Sequence, residues 1–247
     1  PTTVRGEKTR MMLADFLRYE KHLTGTKIVC AEGDCGACSV LRCSPLQTQS
    51  GFVAINSCIT TVAQMDGSSL VTIEGLADEN SLHPIQKAMV TCHGSQCGFC
   101  TPGFVMATAG LVEKKIQQQK LPQNDKQNSQ FSVDAVNKIN DSINSKISEK
   151  EAKNYLTGNL CRCTGYQPII DAVTCVDISQ CQSLEKRYWN KEISSALEKH
   201  IQSSLIIQIL RADQARMKFS QSIDSHAPVN SGKFGAQIYA TKRRRGF

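Results

Sequence analysis

CAEGDCGACSV, residues 30–40, sets three cysteines among glycines and acids in nine positions. Cys30, Cys35 and Cys38 have the spacing C-x4-C-x2-C, the plant-type spacing for a [2Fe–2S] cluster, which takes a distant fourth cysteine. Two irons bridged by two sulfides need four thiolates converging on a compact core. One tight loop supplies three of them, and Gly33 and Gly36 let its backbone bend close to the metal. Loop amides can then point at the sulfurs and tune the potential. The fourth ligand should follow a hairpin. Cys58, at the end of a strand starting at Phe52, fits; Cys43, within or just beyond the strand leaving the loop, is the rival.

Working outward, Met12, Leu13, Phe16 and Leu17 recur at helical spacing, which predicts a helix over Met11 to His22 with Gly25 as a C-cap. Ser39 to Arg42, Phe52 to Asn56 and Leu70 to Ile73 read as strands. Residues 1–77 thus read as a small α+β unit. The pattern then turns helical: Pro84 to Val90, and Phe104 to Val112 opened by Thr101-Pro102-Gly103, with Pro102 in the first turn where proline is tolerated. A Lys/Gln/Asn-rich stretch follows over 113–130, then a stripe of Val136, Ile139, Ile143 and Ile147. Ser148 and Glu151 form a capping-box pattern before a short helix ending near Leu156, and Gln167-Pro168-Ile169 opens another. Residues 78–176 read as an all-α unit. Beyond them Glu192 to Met217 has loose helical periodicity, and Ser220 to Phe247 has little pattern, so 177–247 is expected to be a poorly defined tail.

A second cysteine set lies in the helical unit: Cys97-Gly98-Phe99-Cys100 and Cys161-Arg162-Cys163. A zinc ribbon would use two C-x2-C knuckles, and the C-x-C half fits that poorly. Each half precedes an expected helix start, so two positive helix ends would face one site and favour an added electron. Of the twelve cysteines, Cys43, Cys92, Cys175 and Cys181 remain, and read as free buried thiols. No two histidines have metal-ligand spacing. No Ser-His-Asp, phosphate-loop or dinucleotide-binding pattern occurs, so no catalytic residue is expected on this chain.

Twelve cysteines in 247 residues with no apolar leader point to reduced thiols and metal, hence a cytoplasmic setting. No apolar run approaches the ~20 residues that span a membrane. The net charge of +7 is dispersed except for Lys242-Arg243-Arg244-Arg245. That run has no interleaved aromatics and reads as a solvated tail rather than a nucleic-acid contact.

Four blocks, LTGTKIVCAEGDCGACSV, LHPIQKAMV, GSQCGFCTPGF and GNLCRCTGYQPIIDA, together resemble the iron–sulfur part of the molybdenum hydroxylases. They occur in that family's order and span roughly residues 10–176. Within the family the likeness leans to the small subunit of the bacterial xanthine dehydrogenase branch. The resemblance implies an α+β fold, with a plant-ferredoxin-like β-grasp domain over 1–77 and a helical [2Fe–2S]-binding domain over 78–176. It implies that Cys30, Cys35, Cys38 and Cys58 hold an outer cluster and Cys97, Cys100, Cys161 and Cys163 an inner one. Gln96 matches a glutamine that bonds the molybdenum pterin. The implied partners are a molybdopterin-binding large subunit and a flavin domain or subunit carrying FAD. The implied chemistry is purine hydroxylation with oxygen from water, electrons passing through both clusters to FAD and NAD. Aldehyde, nicotinate, carbon monoxide and hydroxybenzoyl-CoA enzymes share the pattern.

Three departures stand out. Val29 replaces the family's usual glycine before the first ligand. The gap from Cys100 to Cys161 is long, which places an insertion at about 114–147. The strand pair ahead of the first helix is largely missing, and residues 177–247 are too few for a flavin domain. The chain therefore reads as a fragment of a fused iron–sulfur/flavin subunit, the alternative being a stand-alone iron–sulfur subunit with an unusual tail.

Overall fold

The computed structural model describes residues 2–45, 51–78, 81–120, 146–203 and 236–240. It is a mixed structure of helices and one small sheet. The strands are β1 (Thr2–Val4), β2 (Ser39–Cys43), β3 (Val53–Asn56), β4 (Ser68–Val71) and β5 (Ala236–Ala240). Their order is β1-β5-β4-β2-β3. Pairing is antiparallel throughout except β4 with β5, which is parallel. The register sets Leu41 of β2 between Ala54 of β3 and Val71 of β4.

The central strands have apolar residues on both faces because both faces are covered. Val40 and Leu70 point into a small core with Leu13, Phe16, Leu17 and Val62. Their neighbours Leu41 and Val71 point the other way, into the larger core built around Phe104, Met106 and Leu111. Alternation along a strand thus feeds two cores from consecutive residues.

The first helix is short, α1 (Leu13–Asp15), and continues as a wider π-type turn over Phe16–Glu20. It stops at His22, whose φ of +56° is left-handed, with the Leu23 amide bonded back to the Leu17 carbonyl at 2.8 Å. The stop therefore falls three residues before Gly25, on a residue without glycine's freedom. Gly25 instead packs against Ile73 and Glu74, and its amide donates to the Glu74 carboxylate at 2.7 Å.

The remaining helices are α2 (Pro84–Thr91), α3 (Thr101–Lys120), α4 (Glu149–Tyr155), α5 (Gln167–Thr174), α6 (Leu184–Tyr188) and α7 (Lys191–Ser203). α3 lies across β2 and β3 and touches α2 and α4. The Ser148 hydroxyl accepts the Glu151 amide, as the capping-box pattern predicts. Of the stripe Val136, Ile139, Ile143 and Ile147, only Ile147 falls within the described residues, and it is buried. No helix among the described residues is long and apolar enough to cross a membrane.

The segment after residue 176, expected as an ill-defined tail, packs on the larger core as far as Trp189, and beyond it Leu197 is buried and His200 meets Asp66 at 3.0 Å. Buried Glu113 of α3 accepts the Leu184 amide at 2.6 Å and the Ser183 hydroxyl at 3.1 Å. The Tyr188 hydroxyl donates to the Gly75 carbonyl at 2.5 Å, and Arg187 donates to the carbonyls of Leu76 and Ala77. These polar anchors join groups remote in sequence, which no periodicity marks. Residues 236–240, within the stretch of little pattern, form the strand between β1 and β4. The basic run 242–245 lies outside the described residues.

His83 caps α2. Its Nδ1 accepts the Ile85 amide at 3.3 Å, while the Gln86 side chain accepts the His83 amide at 2.9 Å. Burial pushes the imidazole pKa down to about 4. The unfolded chain, near ~6.5, therefore takes the proton first. The stability of the neutral cap is present above that value and is lost as pH falls toward 4, by about 3 kcal/mol in all. Urea midpoints should fall from pH 7 to pH 5, and His83→Asn, which caps without titrating, should fall less. Equal falls would remove His83 as the cause.

Candidate metal centre

The first cysteine loop is held from several sides. Arg18 donates to the carbonyls of Thr24 and Thr26 at 2.8 and 2.6 Å, fixing the approach. Gly33 and Gly36 take φ of +83° and +68°, as the glycine reading predicts, and Ala31 joins them at +58°. Val29 is not among the left-handed residues and is 58% exposed, so the departure at that position strains nothing. The Asn56 side chain donates to the Gly33 carbonyl at 2.6 Å, and the Ser57 hydroxyl to the Cys38 carbonyl at 2.7 Å. These two residues, immediately ahead of Cys58, dock the end of β3 on the loop.

Within this frame the thiols meet in pairs. The Cys35 amide donates to the Cys30 sulfur at 3.5 Å, and the two thiols are near enough to perturb one another. Cys38 and Cys58 form the second contacting pair, and Cys30 packs against their small cluster. Amides of Glu32 and Cys35 pull the Cys30 pKa down to about 6, so this thiol is ready to ligate metal at neutral pH. Burial and the Cys38 thiol push Cys58 up to about 12. Cys43 lies elsewhere: it is 2% exposed in the larger core, its pKa also pushed to about 12 by burial and by Glu185 and Glu113. The structure therefore brings Cys58, not Cys43, to the loop.

The second set behaves the same way. Cys97 and Cys163 lie near enough to shift one another's ionisation, and so do Cys100 and Cys161. The Phe99 amide and the Cys163 thiol lower Cys97, whereas Cys163 is raised by Cys97. Burial raises Cys161, but hydrogen bonds from the Thr164 hydroxyl and amide outweigh it and the net shift is downward. Burial and Cys161 push Cys100 to about 12. Thr164 Oγ1 lies 3.1 Å from the Cys161 sulfur, and the Tyr166 hydroxyl accepts the Cys161 amide at 3.1 Å. Tyr166, with φ of +71°, stands on its ring edge against Phe104 of α3 and so ties the two halves together. α3 begins at Thr101, directly after Cys100, and α5 begins at Gln167. Both helix starts were legible; the roles of Thr164, Tyr166, Asn56 and Ser57 were not, because none has a spacing of its own.

The two quartets are joined. The Leu160 amide, one residue before Cys161, donates to the Cys35 carbonyl at 3.0 Å. Asn159 donates to the Gly36 carbonyl at 3.2 Å. Gly103, three residues after Cys100, lies so close that a Cβ there would sit 2.2 Å from the Gly36 oxygen. Cys97, Cys163, Gln96 and Phe99 form an exposed rim on the second quartet.

Among the described residues, no three or more histidine, cysteine or acidic side chains converge on a single ion. Residues 72–174 match the family model described as the [2Fe-2S] binding domain. The chain is 30% identical, with a TM-score of 0.50, to a chain of quinoline 2-oxidoreductase from Pseudomonas putida 86, covering 77% of this chain and 86% of that one. It is 37% identical over 172 residues to xanthine dehydrogenase of Blastobotrys adeninivorans, covering 69% of this chain and 10% of that protein. It is 35% identical over 179 residues to aldehyde oxidase 1 of Bos taurus, covering 70% and 11%. The chain thus spans about a tenth of the length of these curated relatives.

Fold, paired thiols and family model define a [2Fe–2S]-binding protein. The chain belongs to the molybdenum hydroxylase family of oxidoreductases and corresponds to its iron–sulfur region.

Proposed function

We propose that the chain binds two [2Fe–2S] clusters and relays electrons inside a molybdenum hydroxylase of the xanthine dehydrogenase type. Cys30, Cys35, Cys38 and Cys58 hold one cluster; Cys97, Cys100, Cys161 and Cys163 hold the other. On this reading residues 1–77 are a ferredoxin-like β-grasp unit, 78–176 a helical unit, and 177–247 a connection toward a flavin domain. When bound, such a cluster accepts and returns one electron at a time.

One contact carries the reading: the Leu160 amide on the Cys35 carbonyl. Cys35 belongs to one quartet, and Leu160 is bonded to Cys161 of the other. A single hydrogen bond therefore links a proposed ligand of one set to the residue next to a ligand of the other, and Gly103 lies close against Gly36 beside it. The exposed rim at Gln96, Cys97 and Cys163 is the side on which a molybdopterin-binding large subunit would dock, with Gln96 toward the pterin. The first quartet would face the FAD of a flavin domain or subunit. Purine is the favoured substrate class, since identities of 37–40% to xanthine dehydrogenases exceed the 34–36% to aldehyde oxidases. The substrate itself would bind on the large subunit.

The test is elemental and optical. Purified chain should hold about four irons and four sulfides, as two [2Fe–2S] clusters require, with a visible absorption that bleaches on reduction. Zinc without sulfide would overturn the proposal.

A further inference from the structure

Two thiols outside both quartets also meet. Cys92 ends α2 and Cys175 ends α5, at equivalent positions: the Cys92 amide bonds the Ala88 carbonyl at 2.9 Å, the Cys175 amide the Asp171 carbonyl at 3.0 Å. The two helices pack on each other. Pro168, Asp171 and Cys175 recur at three- and four-residue spacing, so they share one stripe of α5. That stripe faces the end of α2. A Cβ on Gly94 would lie 3.4 Å from the Pro168 carbonyl oxygen, so the turn after Cys92 sits against the first turn of α5, and the Cys92 and Cys175 thiols are near enough to perturb one another. Cys175 is exposed and Cys92 half-buried against the larger core, so the expectation of a buried free thiol fails for Cys175.

We propose that Cys92 and Cys175 are a reversible dithiol/disulfide site, oxidised by peroxide and separate from the cluster ligands. Cys175, the exposed partner, attacks one oxygen of hydrogen peroxide. The O–O bond breaks, water leaves, and the sulfur becomes a sulfenic acid, oxidised by two electrons. The Cys92 sulfur then attacks the Cys175 sulfur. An S–S bond forms, the S–O bond breaks, and hydroxide departs with the Cys92 proton as a second water. Two thiols and one peroxide give one disulfide and two waters. A dithiol reverses it by exchange and is itself oxidised. Burial, then the Cys175 thiol and the Asp171 carboxylate, raises the Cys92 pKa, consistent with Cys92 acting second.

The disulfide would tie the segment leading into Cys97 to the helix that follows Cys163. Closing so long a loop should raise the melting temperature by several degrees. The site does not rest on the cluster assignment, and one experiment reads the two separately. The purified full chain, treated anaerobically with one equivalent of hydrogen peroxide, is trapped with N-ethylmaleimide, digested without reductant and analysed by mass spectrometry, with visible absorption followed in parallel. The expected result is a Cys92–Cys175 cross-linked peptide pair, lighter than the free peptides by two hydrogens, lost on adding dithiothreitol, with absorption unchanged. Cys175→Ser should leave Cys92 alkylated, and Cys92→Ser should leave a Cys175 sulfenic acid that dimedone captures. Alkylation of both thiols after oxidation, a cross-link from either to a quartet cysteine, or loss of absorption before any cross-link forms would each overturn the proposal.

Discussion

Cys58→Ala is expected to halve the iron and sulfide content and abolish one of two paramagnetic signals, leaving the other intact. Cys58 is 6% exposed and pairs with Cys38, while Cys30 and Cys35 pair beside them. On the proposed assignment, removing it would leave one iron of the first cluster short of a thiolate. Cys43, the alternative in the sequence, lies among apolar side chains of the larger core, where burial holds its thiol protonated. Cys43→Ala should therefore keep both signals. Two full signals in the Cys58 variant, or a signal lost in the Cys43 variant, would reverse the assignment. Electron paramagnetic resonance of dithionite-reduced protein measures both.

Gly103→Ala is expected to lower the melting temperature by roughly 6–12 °C. The added methyl would stand 2.2 Å from the Gly36 oxygen and 2.8 Å from the Ala37 Cα, both backbone atoms that no rotamer change can move. Overpacking of this kind costs about 3 kcal/mol where backbone must shift, and in a chain of this size each kcal/mol is worth roughly 2–4 °C. The displaced pair is the loop carrying Cys35 and Cys38 against the start of α3, next to Cys100. Magnetic coupling between the two reduced centres should weaken as well. Gly158→Ala is the control, since a Cβ there meets nothing within 4 Å. An unchanged melting temperature for Gly103→Ala would mean that the two loops do not touch as described.

The helix starts at Thr101, Ser148 and Gln167 were legible because proline and capping residues act within one turn. The helix ends were not. α1 and its π-type turn close at His22, and α2 at His93, both in the left-handed region that favours glycine. At both ends a local bond closes the turn, the Leu23 amide on the Leu17 carbonyl and the Gly94 amide on the Met89 carbonyl. Glycine is the residue that usually marks such a stop, so a histidine in its place carries no signal in the sequence. The packing of residues 177–203 was hidden too, since Glu113, Tyr188 and Arg187 bond main-chain groups far away in sequence.

The sequence by itself determined the two sets of cysteines and the local shape of the loops that bear them. Short spacings and glycines constrain a few residues directly, whatever the rest of the chain does. Only the tertiary structure decided that Cys58 rather than Cys43 lies at the first loop, that the thiols lie two by two, and that Leu160 meets Cys35. Those are contacts between remote segments, set by how the two faces of one small sheet are buried, and no spacing along the chain encodes them.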